Sequence, residues 1–292
     1  MDDWLRELPS EEIQIIHQWS KDKLDLLAKY LYSYTTIMKK QHEDKGWPTY
    51  YLYVDAFAGP VFYREPDPDE RVYVSGSPVQ ALNTDPPFNK YIFIEINQKR
   101  IEWLERLKSS YPRHNIEVLQ GDANRLLNTL ALQVRRDRAH GLVFLDPYGL
   151  EVDFKTVELL AKGAFDVFIN FSIMGVTRAL LPGNSFPSIE QCKEINRVMG
   201  NAVSVEKLYT RQYTLFGEIE YTRGVLPAEK LAGLYADALS KVFKYVSKPV
   251  IMRNSKEGPL YALYLASNNK TAIDITNSIF GRYEKLKATG NQ

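Results

Sequence analysis

The chain has one cysteine, Cys192, among 292 residues. That scarcity excludes an intrachain disulfide and any multi-cysteine metal site, and it suits a reducing cytoplasm, the location expected for this protein. No uninterrupted apolar run approaches the roughly 20 residues needed to span a bilayer. Met1-Asp2-Asp3-Trp4-Leu5-Arg6 also lacks the basic start and apolar core of a signal peptide. No membrane partner is therefore expected. Neither sign of charge dominates: 37 Lys and Arg against 36 Asp and Glu leave a formal charge of +1, so nucleic-acid binding has to use a local patch. Histidine is sparse. His17, His42, His114 and His140 are scattered without metal-ligand spacing, and no metal is expected. Ser77 and Ser172 lack a nucleophile-elbow context, which leaves a hydrolase with little support. No internal repeat or low-complexity tract is present.

Against those absences stands an ordinary globular texture with a strong order of elements. Acidic residues after Pro9-Ser10 predict a short helix to about Trp19. From Ser20, Leu24, Leu27, Leu31, Tyr34 and Met38 fall three and four apart, which predicts a longer helix with one apolar stripe. That stripe is too short for sustained heptads and reads as a lid or packing surface. From Tyr50 the pattern alternates between strand and helix. Strands are expected at Tyr51–Phe57, Tyr91–Ile96, Ile116–Leu119, Leu142–Leu145 and Val167–Phe171, with helices at Pro78–Asn83, Gln98–Ser109, Asn124–Val134 and Phe154–Ala161 between them. A helix at Pro227–Phe243, strands at Val246–Met252 and Leu260–Ala266, and a last helix from Thr271 to about Lys287 complete the series. The short polar connection from Arg253 to Pro259 favours an antiparallel hairpin.

Five parallel strands, a sixth, and an antiparallel seventh describe the α/β, Rossmann-like sheet of class I methyltransferases better than a dehydrogenase fold. The expected organisation is a helical arm over residues 1–48, a first core part over 49–171, an insertion over 172–226 and a closing core part over 227–292. The insertion has no clean period.

The ends of the expected strands carry the chemistry. The first closes on Asp55-Ala56-Phe57-Ala58-Gly59-Pro60, where small residues let a ligand approach the backbone. An ordinary turn explains that segment equally. Ser77-Pro78 starts a helix whose free N–H groups would suit a carboxylate, or merely caps it. Glu95 ends the second strand where nucleoside-binding folds hold a ribose diol, and it could instead cap the next helix. Gly121-Asp122-Ala123 follows the third strand, and Asp122 can accept from an adenine amino group, cap a helix, or both. The fourth strand, Leu142–Leu145, stops on Asp146-Pro147-Tyr148-Gly149. An exocyclic amine is a poor nucleophile while its lone pair is delocalised into the ring. Asp146 and the Pro147 carbonyl can accept its N–H groups while Tyr148 stacks on the base. A strand-end turn with a structural Asp is the plain alternative. In the insertion, Arg178, Arg197, Lys207, Arg211 and Arg223 interleave with Tyr209, Tyr213 and Tyr221, a composition that meets phosphates and bases or simply decorates surface loops.

Taken in order, Trp19-Ser-Lys-Asp-Lys23-Leu, Asp55-Ala-Phe-Ala-Gly-Pro60, Gly76-Ser-Pro78, Phe93-Ile-Glu95, Gly121-Asp122 and Phe144-Leu-Asp-Pro-Tyr-Gly-Leu150 resemble the three-Cys-motif partner protein (TcmP) family of the S-adenosylmethionine-dependent methyltransferase superfamily. The resemblance spans most of the chain. It implies a class I methyltransferase fold and a partner carrying a three-cysteine, radical-enzyme-like motif. Asp146-Pro147-Tyr148-Gly149 also looks like the Asp-Pro-Pro-Tyr and Asp-Pro-Phe-Gly motifs of methyltransferases that act on base amines, which implies catalytic roles for Asp146, Pro147 and Tyr148. The resemblance further implies S-adenosylmethionine as cofactor, with contacts from Asp55, Ala56, Phe57, Gly59, Pro60, Ser77, Glu95, Asp122 and Ala123. Arg178, Arg211 and Arg223 are the candidate nucleic-acid contacts. The chain departs from the pattern at Val61, where such methyltransferases generally have a further Gly. Two functions are thus expected as alternatives: an N-methyltransferase acting on a nucleic-acid base amine, and a non-catalytic methyltransferase-fold partner. Cys192 has no Pro-Cys context, which argues against cytosine C5 chemistry.

Overall fold

The computed structural model describes residues 13–45, 50–66, 73–137, 139–183, 185–201, 205–213, 219–222 and 227–290. Apolar runs at Tyr51–Asp55 (β1), Lys90–Glu95 (β4), Ile116–Gln120 (β5), His140–Leu145 (β6) and Phe165–Phe171 (β7) form parallel strands. Phe62–Arg64 (β2) and Tyr73–Ser75 (β3) make a small separate hairpin in the segment after β1. Pro259–Ser267 (β12) pairs antiparallel with β7. Tyr245–Val246 (β10) and Val250–Arg253 (β11) both pair antiparallel with β12, so the single expected strand at Val246–Met252 is two short ones on the same edge.

The sheet order is β10-β12-β7-β6-β1-β4-β5, with β11 also on β12. Counting only the main strands along the chain, this is 3-2-1-4-5-7-6 with the seventh reversed. That is the class I methyltransferase sheet, and the closing hairpin is the feature that distinguishes it from an all-parallel dehydrogenase sheet. Strand order reverses at β1, between β4 and β6, and such a switch point opens a crevice outside the carboxyl ends of the strands.

Helices cover both faces because strands buried on two sides need two apolar covers. One face is packed by Gln18–Lys45 (α1), Ser77–Leu82 (α2), Gln98–Ser110 (α3) and Lys270–Ala288 (α9), through residues such as Leu27, Leu31, Leu82, Leu104 and Phe280. The other is packed by Ala123–Asp137 (α4), Phe154–Lys162 (α5) and Ala228–Leu239 (α8), through Leu127, Val157, Leu160, Leu231 and Leu239. Leu27 and Leu31 are fully buried, and each such side chain contributes about 2 kcal/mol of hydrophobic stabilisation. The stripe of α1 is thus a packing surface.

Two parts differ from the sequence expectation. Residues 13–17 are not the end of a helix: Ile15 bridges to Arg64, and the Ile16 N–H and Gln14 carbonyl bond the Arg64 carbonyl and N–H. Pairing with the edge of β2 satisfies that backbone, and α1 starts at Gln18 without a break at Ser20. The start of the expected short helix, up to residue 12, lies outside the described residues. The insertion is also more ordered than its missing period implied. It contains Ile173–Ala179 (α6), Ile189–Met199 (α7), a 3-10 turn at Val205–Leu208 and a hairpin of Thr210–Tyr213 (β8) with Ile219–Thr222 (β9). Ser188 and Gln191 form a reciprocal capping box at the start of α7.

Candidate functional site

The crevice is edged by four carboxylates, one at or just beyond each of four neighbouring strand ends. Asp55 closes β1 and is fully buried. Its Oδ2 accepts from Tyr53 Oη at 3.3 Å and its Oδ1 from the Phe57 N–H at 3.4 Å. Burial pushes its pKa up to about 7 against the opposing hydrogen bond from Ser77, and the nearby charge of Asp146 adds to the rise. Asp55 therefore binds the loop and α2 together from beneath. Ala56 and Ala58 continue the ladder by donating to the carbonyls of Phe144 and Ile94.

The departure at Val61 has a packing explanation. Its side chain is fully buried in the core under α1, α2 and α3. Its carbonyl accepts from the Gly76 N–H at 2.8 Å. The glycine of this crossing is Gly76, where a Cβ would stand 2.2 Å from the Pro60 oxygen. Gly59, at φ +45°, makes the turn and donates its N–H to Glu95 Oε2 at 3.1 Å. Pro60 and Ser77 are buried alongside, and Phe57 is partly exposed.

Glu95 is 6% exposed and closely held. Its Oε1 accepts from the N–H groups of Ile96 and Asn97, both at 2.8 Å, and Arg100 Nη1 lies 3.5 Å from Oε2. Asp122 is exposed and caps α4 by accepting from the Arg125 N–H at 2.9 Å, which leaves its Oδ2 open, while Ala123 behind it is buried.

Asp146 is held by two side chains brought in from other elements. Lys23, reaching in from α1 and only 8% exposed, donates to Oδ2 at 2.5 Å. Asn170 Nδ2, from the end of β7, donates to Oδ1 at 2.6 Å. Because the carboxylate demands the Asn170 amino group, Asn170 Oδ1 faces away, and it is buried without a hydrogen-bond partner. Asn170 lines a cavity of about 20 Å³ with Pro147, Gly149, Phe171 and Tyr235, room for about one water-sized group. Phe171 and Tyr235 stack there with centroids 4.1 Å apart.

Tyr148 is 58% exposed beside this carboxylate. Arg100 lies over its ring at 5.0 Å and donates to its hydroxyl at 2.5 Å, and Gln14 Nε2 donates at 3.3 Å. Arg100 thus spans from Glu95 to Tyr148. The loop beyond is fixed from the other face, where Arg197 pairs with Asp153 at 2.6 Å and donates to the Leu150 carbonyl at 2.9 Å. Burial raises the hydroxyl pKa of Tyr63 and of Tyr261, and the charge of Asp146 adds to both. The carboxylate therefore sits in aromatic surroundings.

Asp55, Glu95, Asp122 and Asp146 are brought to one crest, together with Gly59, Ser77, Pro147 and Tyr148. The insertion cations are more scattered. Arg178 is exposed in the last turn of α6, Arg211 is exposed on the β8–β9 hairpin beside Tyr213, and Arg223 lies outside the described residues. Arg197 is consumed by its structural pairs, and Tyr209 and Tyr221 pack on Phe186. Sequence reasoning missed the roles of Lys23, Arg100 and Asn170. Lys23 had a signal, since it lies on the stripe of Leu27 and Leu31. Asn170 had one too, as a polar residue in the apolar run Val167–Phe171. Arg100, on an otherwise polar stretch of α3, had none.

Among the described residues no group of His, Cys, Asp and Glu is placed to hold a metal, and no helix is long and apolar enough to cross a membrane. No family model matches the chain, and no curated protein matches it. Solved structures do. A Legionella pneumophila protein of family model DUF519 aligns over 88% of this chain and 91% of its own at 12% identity, with a TM-score of 0.47. Spermidine synthase from Thermotoga maritima aligns over 77% and 56% at 11% identity, with a TM-score of 0.39. A candidate methyltransferase of Escherichia coli, yhhF, aligns over 59% and 72% at 14% identity, with a TM-score of 0.29. The assignment to the class I methyltransferase fold rests on the sheet order itself.

Proposed function

We propose that this chain is an S-adenosylmethionine-dependent methyltransferase that N-methylates an exocyclic amine of a nucleic-acid base. The observation that carries the reading is the Asp146 carboxylate, pinned between Lys23 and Asn170 beside the exposed Tyr148. The cofactor reading is supported by the donor set. The carboxylates of Glu95 and Asp122 end β4 and follow β5, where a ribose and an adenine would lie, and Gly59 turns the backbone beside them. Arg100 spans the gap from Glu95 to Tyr148, so cofactor binding is coupled to its release. When bound, S-adenosylmethionine supplies a methyl group activated by its sulfonium centre.

The chain's own residues then orient the acceptor. Each oxygen of Asp146 keeps a lone pair beyond its present donor, enough to take an amine N–H. Accepting both N–H groups, with the Pro147 carbonyl as the second acceptor, draws the nitrogen toward a tetrahedral geometry. Its lone pair forms the new N–C bond as the methyl carbon leaves sulfur, and the surplus proton passes to water. Tyr148 supplies the stacking face, and Arg178, Arg211 and Arg223 the phosphate contacts. The segments resembling the TcmP family add a three-cysteine-motif protein as a proposed partner, and a cytoplasmic location goes with it.

The first test is calorimetry with S-adenosylmethionine and its demethylated product: saturable binding is expected, and a folded sample that binds neither leaves only the non-catalytic partner reading. The second is transfer of labelled methyl to a mixed DNA and RNA pool. Asp146→Ala is expected to lower transfer ~100- to 1,000-fold, and equal labelling by both proteins removes Asp146 from the chemistry.

A further inference from the structure

One cavity lined by described residues lies away from the crest. It has a volume of about 530 Å³ and lies at the opposite end of the sheet, where β6 and β7 begin. Tyr30, Tyr34 and Met38 of α1 form one wall, Phe165 and Asp166 of β7 the floor, and Tyr245 of β10 another side. The first turn of α9 closes it. The volume falls within the roughly 300–1,000 Å³ typical of small-molecule sites.

Asp166 makes this cavity unusual. Tyr30 Oη donates to its Oδ2 at 3.1 Å, and Ser267 Oγ makes a short hydrogen bond to Oδ1. Among the described residues no ion pair involves Asp166. The cations nearest at hand are spoken for or neutral: Lys270 on the cavity rim pairs with Asp274 at 2.7 Å, and burial pushes the His140 pKa down. Burial likewise raises the Asp166 pKa to about 6. A carboxylate taken out of water without a countercharge is unfavourable, and aromatic faces around it attract a cation.

We infer that this cavity is a second ligand site, which takes a small organic cation with an ammonium head on Asp166 and an apolar body against Tyr30, Tyr34, Met38 and Phe165. The site is independent of the methyltransferase reading. Phenethylamine is a suitable probe, because its ammonium and ring match the two halves of the cavity. 3-Phenylpropionate is the control with the opposite charge. The titratable groups that face Asp166 are Tyr30 and Tyr34 from α1, His140 from β6, Tyr245 from β10 and Lys270 from α9. Burial raises the hydroxyl pKa of Tyr30 and Tyr34 and lowers the pKa of His140, so Asp166 governs binding over most of the range between pH 5 and 7.5.

Isothermal titration calorimetry at pH 7.5 is expected to show saturable binding of phenethylamine and none of 3-phenylpropionate. At pH 5 the carboxylate is about one-tenth ionised, so affinity falls about tenfold. Asp166→Asn is expected to weaken binding by at least about tenfold, with near-UV circular dichroism confirming a folded sample. Should that variant fail to fold, Ala272→Trp narrows the cavity from the α9 side and is expected to abolish binding. Binding that is absent in the wild type, matched by the phenylpropionate, or unchanged in both variants overturns the inference.

Discussion

Glu95 and Asp146 at the crest are held in the opposite way from Asp166 at the base of the sheet. At the crest, Glu95 is held by three backbone N–H groups and Arg100, and Asp146 by Lys23 and Asn170. The adjoining cavity is only about 20 Å³. At the base, Asp166 is held by two hydroxyls under a cavity of about 530 Å³. The crest is organised and tight, the base roomy and electrically uncompensated. Charge-assisted bonds fix where a carboxylate points, so the crest has the rigidity that positioning an amine requires. A roomy cavity with a lone charge is suited to holding a ligand and has no means of aligning a reaction.

The sharpest way to break this comparison is the pH dependence of stability. Asp55 at the crest and Asp166 at the base both have raised pKa values, to about 7 and about 6 from 3.8. An unfolded chain releases those protons first. Stability from these groups is therefore full below about pH 4, declines as pH rises to about 7 for Asp55 and about 6 for Asp166, and is level above. For Asp55 the loss amounts to roughly 4 kcal/mol. Urea unfolding of Asp55→Asn should show a flatter profile between pH 4 and 7, and a profile as steep as the wild type means Asp55 is not held neutral.

Lys23→Met comes next. It leaves Asp146 with a buried charge and one donor fewer, which should cost about 3 kcal/mol in urea unfolding at pH 7. Lys23→Arg should recover part of that. A loss below about 0.5 kcal/mol would place the pair in the class of surface ion pairs, and the contrast with Asp166 would vanish. Asn170→Ala removes one hydrogen bond to Asp146 and the orphan acceptor, and should lower kcat/KM for methyl transfer about tenfold with little change in cofactor affinity. The smallest effect belongs to Tyr148→Phe. Its ring still stacks while Arg100 loses a hydrogen bond, so the cofactor dissociation constant should change by about twofold to fivefold toward tighter binding.

Much of this was legible in the sequence because strand ends carry local signatures. Apolar runs that stop at Asp55, Glu95 and Asp146 announce both the strand and the carboxylate at its tip, and the polar turn Arg253–Pro259 fixed the reversed last strand. What was hidden depends on distance along the chain. Lys23 and Asp146 are 123 residues apart, and Arg100 and Tyr148 are 48 apart, so no local pattern joins them. The small hairpin of β2 and β3 was obscured by the polar detour around it. In the insertion, the period was masked because short helices bury few residues each, although Ser188 and Gln191 carried a cap signal for α7. The basal cavity left no trace at all, since a void is defined by what several elements fail to fill.

The most direct test of the account is mass spectrometry of nucleosides digested from nucleic acid methylated by the wild-type protein. The geometry at Asp146 predicts a single added methyl on an exocyclic amine nitrogen, lost with Asp146→Ala. A methyl on ring carbon or on ribose oxygen would contradict the central claim.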